Sequence, residues 1–186
     1  AYDEALDLPP MRRRIFTNRT LNLRSIGAVG FDMDYTLIHY KVEEWENHAY
    51  THLRDRLAAL GWPVDDVEFD HEAVRLGLIL DLEHGNIVKA NRFGYVKRAQ
   101  HGTRQLGYEE WKALYARDRV DLSSSRWHFL NTLFSLSEAC MYAQMVDRLD
   151  DGRIKGPMGY ADLYRQIRSC LDEAHVEARA DLPVEV

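Results

Sequence analysis

The feature that most constrains this chain is a short apolar run, Ser25-Ile26-Gly27-Ala28-Val29-Gly30-Phe31, that stops at two aspartates one residue apart, Asp32 and Asp34. A run of that length, rich in small and β-branched residues, reads as a buried core strand. Carboxylates leaving the C-terminal end of such a strand lie where open α/β sheets bind their ligands. The expected fold class is therefore α/β.

Downstream, Glu43 to Leu60 carries Leu53, Leu57 and Leu60 at helical spacing and is stopped by Gly61 and Pro63, which predicts an amphipathic helix. Leu78-Ile79-Leu80, Ile87-Val88-Lys89 and Tyr95-Val96-Lys97 are strand-like runs. The breaks between them, Gly85-Asn86 and Phe93-Gly94, predict a small antiparallel meander. A helix is expected to open near Tyr108. Trp127 to Leu149, apolar on most faces, reads as one largely buried helix with a break around Ser135 to Ser137. A last helix is expected over Tyr160 to Ala178, with Pro183 ending regular structure. Only one parallel-type strand is evident, whereas a doubly wound sheet needs several βα units. The division expected is residues 1–40 for an N-terminal arm, core strand and motif, and 41–186 for a largely helical cap with the meander.

The Asp32-Met33-Asp34-Tyr35-Thr36 spacing suits phosphoryl transfer. Asp32 can attack phosphorus through its carboxylate, and Asp34 is near enough to protonate the leaving oxygen and later activate water. Repulsion between neighbouring carboxylates raises the pKa of one of them, which lets it hold a proton. Mg²⁺ would offset the remaining charge, and Thr36 adds a hydroxyl to orient the nucleophile. The plainer alternative is that both aspartates cap a turn, as Asp often does where strands end.

This segment resembles the first motif of the haloacid dehalogenase superfamily, and Phe31 to Leu37 is similar to its form in the cytosolic purine 5′-nucleotidases. Asn18-Arg19-Thr20-Leu21 resembles that family too, as do Gly77 to Asp81, Gly85 to Lys89, Gly94, His101-Gly102 and Leu130 to Phe134. The resemblance implies that Asp32 is the nucleophile, that Asp34 is the general acid and base, and that Mg²⁺ rests on the Asp32 carboxylate and the Asp34 backbone carbonyl. It also implies a haloacid dehalogenase-like Rossmann-type core, of which only the first strand is expected here, a purine nucleoside 5′-monophosphate substrate, such as IMP or GMP, and a dimer or tetramer.

For base recognition the resemblance points to Phe134 as a stacking platform, where residue type alone reads core. The adjacent family position is often Asn, and this chain has Ser135. Arg168, Asp172 and His175 share one helical face. The resemblance has them reach the base, and residue types alone read a solvated ion pair beside an incidental His. The family's later motifs are a Ser or Thr after a second strand, a Lys and an acidic pair. None occurs between His175 and Val186, so the chain is expected to be an N-terminal fragment with little activity by itself. The other functional class is a non-catalytic interaction protein that keeps the cap without the chemistry.

Composition narrows the rest. A formal net charge of −6 argues against a general nucleic-acid binder, which carries a basic surplus. Two cysteines, Cys140 and Cys170, are too few for a disulfide framework and suggest a reducing, cytoplasmic setting. No apolar run nears the roughly 20 residues that span a bilayer, and the acidic start, Ala1 to Pro10, does not resemble a signal peptide. The Arg12-Arg13-Arg14 cluster is read as a solvated arm, with a phosphate or partner contact as the alternative.

Overall fold

A computed structural model describes residues 10–14, 22–33, 36–39, 41–132 and 135–181, with side chains described except at 23 and 174–181. The chain divides into two compact units, Ala1–His39 and Tyr40–Val186.

In the first unit, 3-10 turns cover Met11–Arg13 and Leu23–Ser25. Residues 26–33 form no strand, which corrects the core strand expected there. A strand exists only through ladder bonds to a neighbour, and this run pairs with no strand among the described residues. Its side chains stay out of any core accordingly, with Val29 71% and Phe31 72% exposed. The Rossmann-type core expected from the sequence is thus not formed among the described residues, whose only multi-stranded sheet is antiparallel.

The second unit is α/β. It opens with α1, Val42–Ala59, whose buried face is Glu46, Tyr50, Leu53 and Leu57, a three-and-four spacing headed by a carboxylate. The helix ends where Gly61 takes φ +78°, with backbone N–H groups of residues 60–62 donating to the orphan carbonyls of Arg56, Leu57 and Ala58.

Strands β1 (Ile79–Asp81), β2 (Asn86–Ala90), β3 (Val96–His101) and β4 (Arg104–Gln105) form the expected meander. A fifth strand, β5 (Trp127–Phe129), adds to the other edge of β1, giving the order β4-β3-β2-β1-β5, antiparallel throughout. Helix α2 (Tyr108–Tyr115) lies between β4 and β5 in sequence, and Glu110 reaches back to accept the Gly107 N–H at 2.7 Å.

Trp127 to Leu149 is therefore not one broken helix. Its first three residues pair with β1 (Asp81 with Trp127, Ile79 with Phe129), and the helix, α3, begins at Leu136 and runs to Asp150. The last helix, α4, covers Tyr160–Asp181.

One core joins α1, α3 and α4 to a face of the sheet through Leu53, Leu57, Leu80, Ile87, Met141, Met145 and Ile167. The second core lies on the opposite face and collects Ile79, Val88, Val96, Ala99, Tyr115 and Trp127. Cys140 and Cys170 are both buried and free, and burial pushes the Cys140 thiol up to about 11. Among the described residues no helix is long and apolar enough to cross a membrane.

Candidate functional site

Asp32 follows directly on the apolar run and is exposed. The chain turns immediately after it, with the Leu37 and Ile38 N–H groups each donating to the Met33 carbonyl at 3.0 Å. That turn brings Thr36 back over Asp32, so Thr36 Oγ1 donates to Asp32 Oδ2 at 3.3 Å. The hydroxyl thus engages one oxygen of the exposed carboxylate. The carboxylate also offers hard oxygen donors of the kind Mg²⁺ takes. Asp34 lies outside the described residues, and among the described residues no group of three or more His, Cys, Asp or Glu is gathered as for a metal.

Arg168 and Asp172 belong to α4 in the second unit, as the one-face spacing predicted. Arg168 Nε meets Asp172 Oδ1 at 3.1 Å, with both side chains about half exposed. Arg168 has a second partner that was not singled out from the sequence. Its Nη1 meets Glu138 Oε2 at 3.0 Å, and Glu138 has no exposed side-chain surface. Burial works against the guanidinium charge, but Glu138 and Asp172 outweigh it and move the Arg168 pKa upward. His128 approaches from β5, where burial first, and Arg168 against the opposing effect of Glu138, lowers its pKa. His175 falls within α4 but its side chain lies outside the described residues, as does Phe134. The sequence signal for Glu138 was available: an acidic residue in the first turn of a helix that is apolar on nearly every face.

A larger polar constellation went unread in the sequence. Asp81, fully buried at the end of β1, receives Arg126 Nε on Oδ1 at 2.8 Å and Arg126 Nη2 on Oδ2 at 2.9 Å. Tyr115 OH donates to Oδ2 at 2.8 Å, and Asn86 Nδ2 donates in turn to the Tyr115 oxygen at 2.7 Å. His101 continues the chain, Nδ1 to Asn86 Oδ1 at 2.7 Å and Nε2 to Asp150 Oδ2 at 2.6 Å. Tyr160 OH closes it on Asp150 Oδ1 at 2.7 Å. Burial alone would raise the Asp81 pKa, but Arg126, Tyr115 and His84 together hold it below the ordinary carboxylate value. Both oxygens of Asp81 are engaged, so this network fastens the sheet to its helices and leaves no acceptor for a ligand.

Residues 15–181 match the 5′ nucleotidase family. The chain is 30% identical to human 5′-nucleotidase domain-containing protein 1, over 69% of this chain and 31% of that protein. It is 31% identical to the Bos taurus protein of the same name, with the same coverage of each. The chain thus spans just under a third of the length of these curated relatives.

Proposed function

Because the chain belongs to the 5′-nucleotidase family, we propose that it carries the nucleophile of a magnesium-dependent phosphohydrolase that removes the 5′-phosphate from nucleoside monophosphates, purine ones such as IMP and GMP. The observation that carries this reading is the exposed Asp32 carboxylate with Thr36 hydrogen-bonded to one of its oxygens.

An Asp32 oxygen attacks phosphorus and the ester P–O bond breaks, giving an aspartyl-phosphate and a nucleoside. Asp34 gives its proton to the departing 5′-oxygen, then takes one from the water that attacks the aspartyl-phosphate, releasing phosphate and restoring Asp32. The Asp32 carboxylate and the Asp34 backbone carbonyl would hold Mg²⁺, which offsets the charge of two carboxylates and a phosphate crowded together. Arg168 and Asp172, with Phe134 and His175, are assigned to the purine base. Arg168 offers donors and Asp172 acceptors for its polar edge, and Glu138 keeps the Arg168 guanidinium in place. A haloacid dehalogenase-like Rossmann-type core, a cytoplasmic location and a dimeric or tetrameric assembly belong to the same proposal.

The test is phosphate release from IMP, GMP, AMP and a sugar phosphate with Mg²⁺, by this chain and by the longest reading frame that contains it. Purine-selective release by the longer form should fall by about a thousandfold or more in Asp32→Asn. Absence of release from every substrate by the longer form would overturn the enzymatic reading and favour a non-catalytic interaction role.

A further inference from the structure

We propose that the second unit binds a small phosphorylated organic molecule in a groove on the helix-facing side of the sheet, independently of the chemistry at Asp32. The groove has a volume of about 410 Å³, within the range of small-molecule sites. Three cations line it, Arg75, Lys89 and Arg98, against one acid, Glu72. The position follows from the register. On this face the row Leu80–Ile87 is sealed in the helical core. One step along the strands the next row, carrying Lys89 opposite Arg98, lies open to solvent. Helices cover the first row and not the second.

Four observations point to an anion there. Lys89 and Arg98 are direct cross-strand partners, and like charges in that relation destabilise an antiparallel pair. The ladder is irregular at this place, with a register shift between Lys89 and Ala90, and bulges re-aim side chains toward sites. Arg75 comes from the preceding loop to the same groove. The side chains of all three cations are exposed and none forms a hydrogen bond or ion pair with another described residue, whereas the buried or half-buried arginines Arg54, Arg56, Arg126, Arg148 and Arg168 are each paired with a carboxylate.

The walls decide against a bare inorganic ion. Leu76 and Leu78 line the groove beside the cations, with Gln100 supplying an amide. A phosphate held by Lys89, Arg98 and Arg75 would leave its organic part against these apolar side chains. Dianionic phosphate suits the site because it accepts from several cationic donors at once.

The experiment is calorimetric titration of the Asp32→Asn chain in EDTA, which silences the proposed nucleophile and any metal, using phenyl phosphate and, separately, inorganic phosphate. Phenyl phosphate is expected to bind more tightly than phosphate. Lys89→Ala and Arg98→Gln should each weaken phenyl phosphate roughly tenfold or more. Lys97→Ala, an exposed neighbour on β3 that does not line the groove, should leave binding within about twofold. Circular dichroism of each variant separates lost binding from lost folding. No binding of either probe at millimolar concentration would overturn the proposal. So would equal weakening by Lys97→Ala, the mark of diffuse charge, or inorganic phosphate binding as tightly as phenyl phosphate.

Discussion

At the scale of single residues, the Asp81–Arg126 pair shows how much depends on a buried charge having its partner. Asp81 has no exposed side-chain surface, and both of its oxygens receive the guanidinium fork. Arg126→Met is expected to lower stability by about 3–5 kcal/mol at neutral pH, because it strands a carboxylate away from water. Since protonation removes that stranded charge, the deficit should shrink as the pH is lowered toward about 4. The native pair runs the other way. With its folded pKa depressed, Asp81 contributes stability that is complete above the ordinary carboxylate value and is lost as pH falls through the depressed one. Chemical denaturation of both proteins between pH 7 and 4 checks this, and parallel pH profiles would count against the account. The meeting of Thr36 with Asp32 was legible in the sequence because it is local: the two lie four positions apart and a turn joins them. Asp81 was not, since nothing around it announces an arginine 45 residues away.

At the scale of elements, α3 has a cap that its own sequence does not supply. Ser135, at the N-cap position, makes no side-chain capping bond. Instead Glu46 of α1, itself 1% exposed, accepts the Ser137 N–H through Oε2 at 2.5 Å. Burial raises the Glu46 pKa, opposed by these bonds at the start of α3. The expected result is that Glu46→Ala costs about 2–4 kcal/mol, by uncapping a helix and emptying buried volume, while Glu46→Gln, which keeps a carbonyl oxygen for the Ser137 N–H, costs less than half of that. Thermal melts of the two variants decide it, and equal losses would sink the capping role.

The same contrast explains which elements could be read in advance. Helices α1, α2 and α4 and the meander follow from period and punctuation, which are properties of adjacent residues. Strand β5 is three residues long and exists only because β1 has an open edge, so Trp127 to Phe129 looked like the start of the helix that follows. The run before Asp32 fails for the converse reason: it has the residues of a strand but no neighbour to bond with among those described.

At the scale of the whole molecule, both hydrophobic cores draw, among the described residues, only on the unit Tyr40–Val186. A chain beginning at Tyr40 should therefore fold by itself and melt cooperatively within a few degrees of the 186-residue chain. The proposed chemistry places Asp32 on the other side of that boundary, so the shortened chain should bind phenyl phosphate yet form no aspartyl-phosphate. Circular dichroism melts of the two chains test the first half, and a non-cooperative transition would show that the cores do not suffice.

The hydrogen-bonded chain from Arg126 to Tyr160 bears on time as well as strength. Four of its six links join residues 45, 34, 29 and 49 positions apart, so it can close only after the segments between them have been brought together. Neighbouring hairpins such as β1–β2 and β2–β3 need far shorter loops and can assemble first. Bonds made after the transition state hold the folded chain shut more than they hasten its arrival. The network acts as a latch, governing how long the folded unit persists before it opens.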